Sequence, residues 1–379
     1  MKLENSQAFL TLVRLGINHE LNNDSKLTIY DSETIDWTEL KVLAERQGLF
    51  AILMDGIEKV RCQKEDSRCN LNFLSQKIVL QWIGEVLQNY EKRFQTYRKA
   101  IGELASFYNA HGLKMMVLKG YACNIDWPKP EHRPCGDIDI WLFGKQREAD
   151  NILGEWFLVH DSGLSIDTSH HHHTVFEWNG FAVENHYDFV NVHHDKSNAS
   201  IEKIFKELGQ DAQYSIEVLG VIVYIPSPNL HALFLLRHML MHFVAIGINL
   251  RQILDWAFFV EKHTKEVDWE WLNCILEKFH MKEFFNIINA ICVYDLGFNT
   301  ELFPTIQFLP ELKERVLGDI LSPEYDWMDA HRLNLIPRML FKFRRWKSGA
   351  WKRKLCYKES DLETFFWGIR SHLLKPATI

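Results

Sequence analysis

The spacing of apolar residues changes twice along this chain, and each change restricts the fold more than any other feature of the sequence. Val79, Ile83, Val86, Leu87, Tyr90, Phe94, Tyr97, Ile101, Leu104 and Tyr108 recur three or four positions apart, the period of an amphipathic helix. That helix is expected to stop at Gly112, because a glycine just beyond the last apolar position is the usual left-handed helix end. Met115 to Leu118 then reads as a short buried strand, Gly120 to Trp127 as a short helix, and Pro128, Pro130 and Pro134 as an irregular loop. Asp137 to Phe143 alternates like a strand, and residues 145–154 look helical. Thr174 to Trp178 and Phe181 to Tyr187 flank Asn179-Gly180, the strongest short signal for a hairpin. Ile216 to Ile225 reads as one β-branched strand. Helical spacing returns at Asn229, with candidates at Leu230 to Phe243, Leu250 to Glu261, Trp269 to Phe279 and Glu283 to Val293.

The expected class is therefore α+β: a helical segment over 1–112, a small mixed α/β core over 113–225 and a helical domain over 226–379. With 379 residues, 47% of them apolar, the chain can bury a large core, and its 25 Phe, 11 Tyr and 13 Trp exclude a disordered or fibrous protein. A net charge of −7 argues against a surface built throughout to coat nucleic acid. The seven cysteines include no CxxC pair and fit a reducing compartment. The first residues lack the pattern of a signal peptide, and the greasiest stretch, Ala232 to Leu250, contains Arg237, His238 and His242. A cytoplasmic chain without a transmembrane segment is expected.

Chemistry concentrates between Leu118 and Tyr187. On a strand, residues two apart share a face, so Asp137 and Asp139 project together while Ile138 and Ile140 enter a core. Adjacent carboxylates repel unless a cation lies between them, and hard oxygen ligands suit Mg²⁺ or Mn²⁺. Ahead of them stands Lys119-Gly120, where a glycine admits close backbone approach and the following helix start offers N–H groups to a phosphate. Glu184, on the second strand of the predicted hairpin, can add a third carboxylate and complete a two-metal site. Lys119 and Arg133 would neutralise phosphate oxygens, unless Arg133 pairs with Glu131 or an aspartate.

The order Leu118-Lys119-Gly120, then Arg133 with Asp137-Ile138-Asp139-Ile140, then Glu184-Asn185-His186-Tyr187 resembles the bacterial uncharacterised nucleotidyltransferase family, a branch of the DNA polymerase β-type superfamily. The similarity is best over Met115 to Tyr187 and weaker in the flanking helices, including His231 to Asp255. It implies a minimal nucleotidyltransferase core, a small mixed sheet with helices on it. It also implies transfer of a nucleoside monophosphate from an NTP to an acceptor hydroxyl, with Asp137, Asp139 and Glu184 as metal ligands and Lys119 and Gly120 in the glycine turn. Where the superfamily has Gly-Ser or Gly-Gly, this chain has Gly120-Tyr121, so a scaffold that binds nucleotide or a partner without turnover is the second reading.

Other features have two readings each. His170 to His173 form a run of four; on a strand His171 and His173 would share one face, and with His186, or with His193 and His194, they could ligate a transition metal and serve a metal-dependent hydrolase, or else line the site as contacts to substrate. His186 is placed with the nucleotide-contacting residues. His238 and His242 stack one turn apart, with Arg251 and Asp255 on the next helix; they are either satisfied in a helix-packing face or placed where a base, sugar or acceptor would be held. From Arg332 to Lys358 there are ten basic residues and no acidic one, interleaved with Trp346 and Trp351. This is either a solvated face or a surface for an anionic partner, including an RNA acceptor. The acceptor itself (small molecule, protein or RNA) is not written in the motif.

Overall fold

The computed structural model describes residues 3–17, 35–62, 75–161, 163–193, 196–304, 306–307, 309–325 and 335–374. His194 and Arg332 lie outside them. Before Gly112 the helical spacing resolves into α1 (Leu3–Gly16), α2 (Trp37–Arg46), α3 (Phe50–Cys62), α4 (Gln76–Val86) and α5 (Lys92–Ala110). A wide π-helical turn, Leu87–Glu91, joins α4 to α5. The end of α5 is the expected glycine stop: Gly112 has φ 73°, Leu113 N–H donates to Tyr108 O and Gly112 N–H to Asn109 O, both at 3.0 Å.

The six strands among the described residues lie between 116 and 224: β1 (Met116–Val117), β2 (Ile138–Trp141), β3 (His173–Trp178), β4 (Phe181–His186), β5 (Ser215–Val218) and β6 (Val221–Tyr224). They form one mixed sheet in the order β3-β4-β2-β1-β6-β5. The β2–β4 and β1–β6 pairs are parallel and the rest antiparallel. Between strands run α6 (Tyr121–Asn124), α7 (Gln146–Val159) and α8 (Lys196–Leu208). After the sheet come α9 (Pro228–Ala245), α10 (Leu250–His263), α11 (Trp269–Lys278), α12 (Lys282–Ala290), α13 (Pro310–Leu321), α14 (Leu335–Ser348), α15 (Ala350–Cys356) and α16 (Asp361–Leu374).

Strand alternation splits the apolar residues into two cores, one on each face of the sheet. Val117, Ile138, Ile140, Phe176 and Val183 pack with α5 and α7. Met116, Leu118 and Trp141 belong to the other cluster, with α1, α3, α9, α10 and α12. Since Asp139 lies between Ile138 and Ile140, it faces the second side, and α9, buried on nearly all sides, lies on that side too. Trp141, Phe189 and Phe234 carry the contact from strand to helix through ring centroids 4.5 and 5.7 Å apart.

The Asn179-Gly180 hairpin forms as its sequence predicts, with φ of 50° and 79° at the two central residues. The single strand expected over Ile216 to Ile225 is instead a second hairpin, β5 and β6, turning at Leu219-Gly220 with φ of 53° and 83°. A leucine with a left-handed backbone is strained, and its side chain here is 56% exposed, which is why the residue types conceal the turn. Replacing it with a residue that tolerates this backbone, Leu219→Asn, is expected to raise stability by about 0.5–1 kcal/mol, read as a higher urea midpoint at unchanged slope.

Candidate active site

In the parallel β2–β4 pair, Asp139 stands opposite Glu184, and in the β3–β4 pair His173 stands opposite His186. Glu184 and His186 are two apart and share the face that Asp139 uses. The side chains meet: His186 Nε2 lies 3.1 Å from Asp139 Oδ1 and 3.5 Å from Glu184 Oε2. Its Nδ1 is 3.2 Å from the Asp188 carbonyl, which only an N–H can satisfy, so Nε2 is the nitrogen turned to the carboxylates. Burial alone would discharge His186, but hydrogen bonding to Asp139 and then Glu184 outweighs it and pushes the ring up to about 9. Burial likewise disfavours a charged Glu184; the His186 hydrogen bond and the charge of Lys119 reverse this and hold the carboxyl far below the usual range. Glu184 is therefore a weak proton acceptor, better suited to holding a cation than to the acceptor-side base role its position invites.

Lys119 closes the group from above, its Nζ 2.9 Å from Asp139 Oδ1 and 3.2 Å from His238 Nε2. Burial would strip its proton, yet the charges of Asp139, Asp137 and Glu184 win and raise it above the ordinary lysine value. The other Asp139 oxygen, Oδ2, is buried with no hydrogen-bond partner among the described residues. Asp139, Glu184 and His186 each direct one ligand atom to within 4.8 Å of the others. Asp137 does not join this tight group. It lies one residue before β2 with its surface open to solvent, and the partial desolvation its carboxyl suffers from the surrounding cleft, with the charge of Asp139 added, shifts it upward.

The turn between β1 and α6 is built differently from expectation. Gly120 is required: at φ 60°, a Cβ there would come 2.6 Å from Tyr97 Oη and 3.4 Å from the Asp137 carbonyl, two groups already hydrogen-bonded to each other at 2.7 Å. The glycine thus makes room for α5, not for a ligand. The helix start offers little to an anion either, because α6 has four residues and its Cys123 and Asn124 amides donate to the Gly120 carbonyl. Tyr121 is buried on the opposite side of the turn, stacked on Phe94 with centroids 6.1 Å apart.

Beside this turn opens a cavity of about 430 Å³, within the range of ligand sites, whose wall includes Lys119, Asp137, His238, His242, Arg251 and Arg46. His238 and His242 are 3.1 Å apart through their Nε2 atoms, and burial followed by the Lys119 charge keeps both neutral, His242 down to about 4. Arg133 reaches the wall but spends its fork elsewhere: Nε and Nη2 donate to Asp255 at 2.7 and 2.9 Å, and Nη1 donates to Asn124 at 3.1 Å. The pair is buried and joins the loop before β2 to α10, so the expected phosphate contact from Arg133 gives way to an internal ion pair with a residue 122 positions on. Arg251, four residues before Asp255, faces the same cavity with a buried Nε that has no hydrogen-bond partner among the described residues. Burial and the neighbouring Arg133 lower its proton affinity.

Over residues 33–294 the chain matches the family described as uncharacterised nucleotidyltransferase. It belongs to that family. A solved structure, an antigenic nucleotidyltransferase-like protein from Paracoccidioides brasiliensis, is 13% identical and superimposes with a TM-score of 0.32 over 44% of this chain and 77% of that one, too slight a likeness to bear on function. No curated protein matches the chain.

Within this chain the sequence-expected residues fall into three places. Asp139, Glu184 and His186 meet beneath Lys119; Asp137, Gly120, His238 and His242 line the cavity beside them; Arg133 braces the wall. His186 is absent from the cavity wall and sits among the carboxylates instead. Arg46 and Gln47 come to the cavity from the end of α2, a contribution that no local pattern announces. In the basic segment, Lys352 and Arg353 are tied to Asp319 and Asp361 at 2.5 and 2.6 Å, leaving Arg344, Lys347, Lys354 and Lys358 exposed. Asp255→Ala would leave the Arg133 guanidinium buried without its counter-charge, and a loss of about 3–5 kcal/mol in urea unfolding is expected. Gly120→Ala is expected to cost about 1–3 kcal/mol in the same measurement, since the residue must keep φ 60° against Tyr97.

Proposed function

We propose that this protein transfers a nucleoside monophosphate from an NTP to an acceptor hydroxyl, at a centre formed by Asp139 and Glu184 with Asp137 at its rim. The observation that carries the reading is the buried Asp139 Oδ2, without a hydrogen-bond partner among the described residues and beside the Glu184 carboxylate. Leaving such an oxygen dry and unbonded is costly, and a divalent ion with oxygen ligands satisfies it. The donor set therefore fits Mg²⁺ or Mn²⁺, held by Asp139 and Glu184 with Asp137 available from the rim. Bound there, the ion would neutralise phosphate charge and acidify the acceptor hydroxyl.

The remaining work belongs to side chains of the cavity. Arg251 presents a guanidinium with donors to spare, which suits phosphate oxygens. Lys119 holds a permanent charge between Asp139 and the cavity and can balance phosphates at that edge. Neutral His238 and His242 offer hydrogen bonds to sugar or base without adding charge. With Tyr121 stacked in the core, its bulk leaves the donor space clear. The exposed Arg344, Lys347, Lys354 and Lys358 are the cations open to an anionic acceptor. Among the described residues no helix is long and apolar enough to cross a membrane.

One contact favours a second reading, nucleotide binding without turnover: the Lys119 ammonium already neutralises Asp139. Pyrophosphate release separates the two. With each NTP in turn and Mn²⁺ or Mg²⁺, wild type is expected to release pyrophosphate, and Asp139→Asn and Asp137→Asn to reduce the rate about 10²–10³-fold. Arg251→Ala is expected to raise KM for the NTP more than it lowers kcat. Nucleotide binding with no release from wild type would establish the second reading, and equal release by wild type and Asp139→Asn would remove the carboxylate centre.

A further inference from the structure

The histidine run before β3 is not absorbed by the proposed transfer. We propose that His172, His173 and His186 form a binding site for a borderline transition-metal ion of the Zn²⁺ type, next to the carboxylates but distinct from them in ligand chemistry. One ring nitrogen from each of the three lies within 4.8 Å of the others. The rings are packed together, with centroids 4.4 Å apart for His172 and His173, 5.2 Å for His173 and His186, and 5.5 Å for His172 and His186.

The second observation is a deficit of partners. His172 Nδ1 and both ring nitrogens of His173 are buried with no hydrogen-bond partner among the described residues. A neutral imidazole carries one N–H and one lone pair, so burying His173 this way leaves both unmet, a penalty that proteins rarely accept. An ion takes up the lone pairs. Glu184 Oε2, 3.8 Å from His173 Nδ1, stands where a carboxylate can orient a ligating ring.

The backbone prepares the arrangement. His173 and His186 are cross-strand partners in the β3–β4 hairpin, and the His172 carbonyl accepts from the Tyr187 and Asp188 amides, both at 3.0 Å. The Asp188 carbonyl fixes His186 Nδ1 at 3.2 Å, leaving Nε2 as the ligand atom. That nitrogen has one lone pair and can serve one ion; the carboxylate oxygens suffice for the hard ion, so Nε2 goes to the imidazole set. Binding exchanges its proton for the metal and releases the proton to solvent. Three imidazole ligands select Zn²⁺ or Co²⁺ over Mg²⁺, and leave a fourth position for water or substrate.

The test uses chelator-treated full-length protein titrated with Co²⁺ in the absence of nucleotide, followed by visible absorption, with Zn²⁺ as competitor. One Co²⁺ per chain is expected, with ligand-field bands, displaced by Zn²⁺ and retained in excess Mg²⁺. His172→Gln and His173→Gln, with circular dichroism as the check on folding, are each expected to weaken binding about 10–100-fold, and Asp137→Asn to leave it unchanged. Wild type that binds no Co²⁺, displacement by Mg²⁺, or folded His172→Gln and His173→Gln variants with wild-type affinity would overturn the site. Because no nucleotide is present, Co²⁺ binding by a protein that releases no pyrophosphate would retain this site and remove only the transferase reading, and the reverse pair of results would do the opposite.

Discussion

The chemistry of this molecule depends on a group of charges that the sheet forces together where little water reaches them. Asp139 is 1% exposed, with Lys119, His186 and Glu184 as its neighbours. Each charge alone would be costly in that place, and together they are tolerable because cations and anions alternate. The compensation is incomplete, since one Asp139 oxygen and several imidazole nitrogens have no partner among the described residues. A fold that buries polar atoms and leaves them wanting has stored an affinity for something that arrives from outside.

The surrounding architecture serves to keep that group in register. Parallel pairing of β2 with β4 sets Asp139 against Glu184, and the hairpin with β3 brings His173 to His186. On the far side, α5 holds the lead-in to β2 through Tyr97 on the Asp137 carbonyl and Arg93 on the Cys135 carbonyl. On the near side, α9 and α10 close over the turn, and the Arg133–Asp255 pair ties that closure to the loop. The cavity is thus bounded by helices that come long after the strands in the chain, joined by Arg46 and Gln47 from well before them, while its chemistry begins on the strands themselves.

What could be read from the sequence was what local period dictates. Alternation at Ile138-Asp139-Ile140 placed the aspartate on the face away from its neighbours, and Asn179-Gly180 announced the hairpin that carries Glu184 and His186. Glycine alone did not announce the turn at Leu219-Gly220, because an exposed leucine holds the left-handed position where a turn-forming residue would be expected. Direction and long-range partners were beyond reach. Nothing near Tyr121 says that its ring enters the α5 side of the sheet, and nothing near Arg133 names Asp255 as its partner. The same limit applies to His172: strand alternation pairs His171 with His173, and only the closed hairpin shows that His172 meets His173 and His186 instead.

The chain belongs to the uncharacterised nucleotidyltransferase family over residues 33–294, and in its structure histidines crowd the carboxylates of the sheet. The carboxylate centre is probed most directly by crystallography: anomalous scattering at the manganese edge from crystals grown with Mn²⁺ and a non-hydrolysable NTP analogue. A peak bonded to Asp139 and Glu184 is expected, with the analogue's phosphates turned to Arg251. Lys119 still seated on Asp139 and no anomalous peak at either carboxylate would contradict a metal-held nucleotide at this sheet.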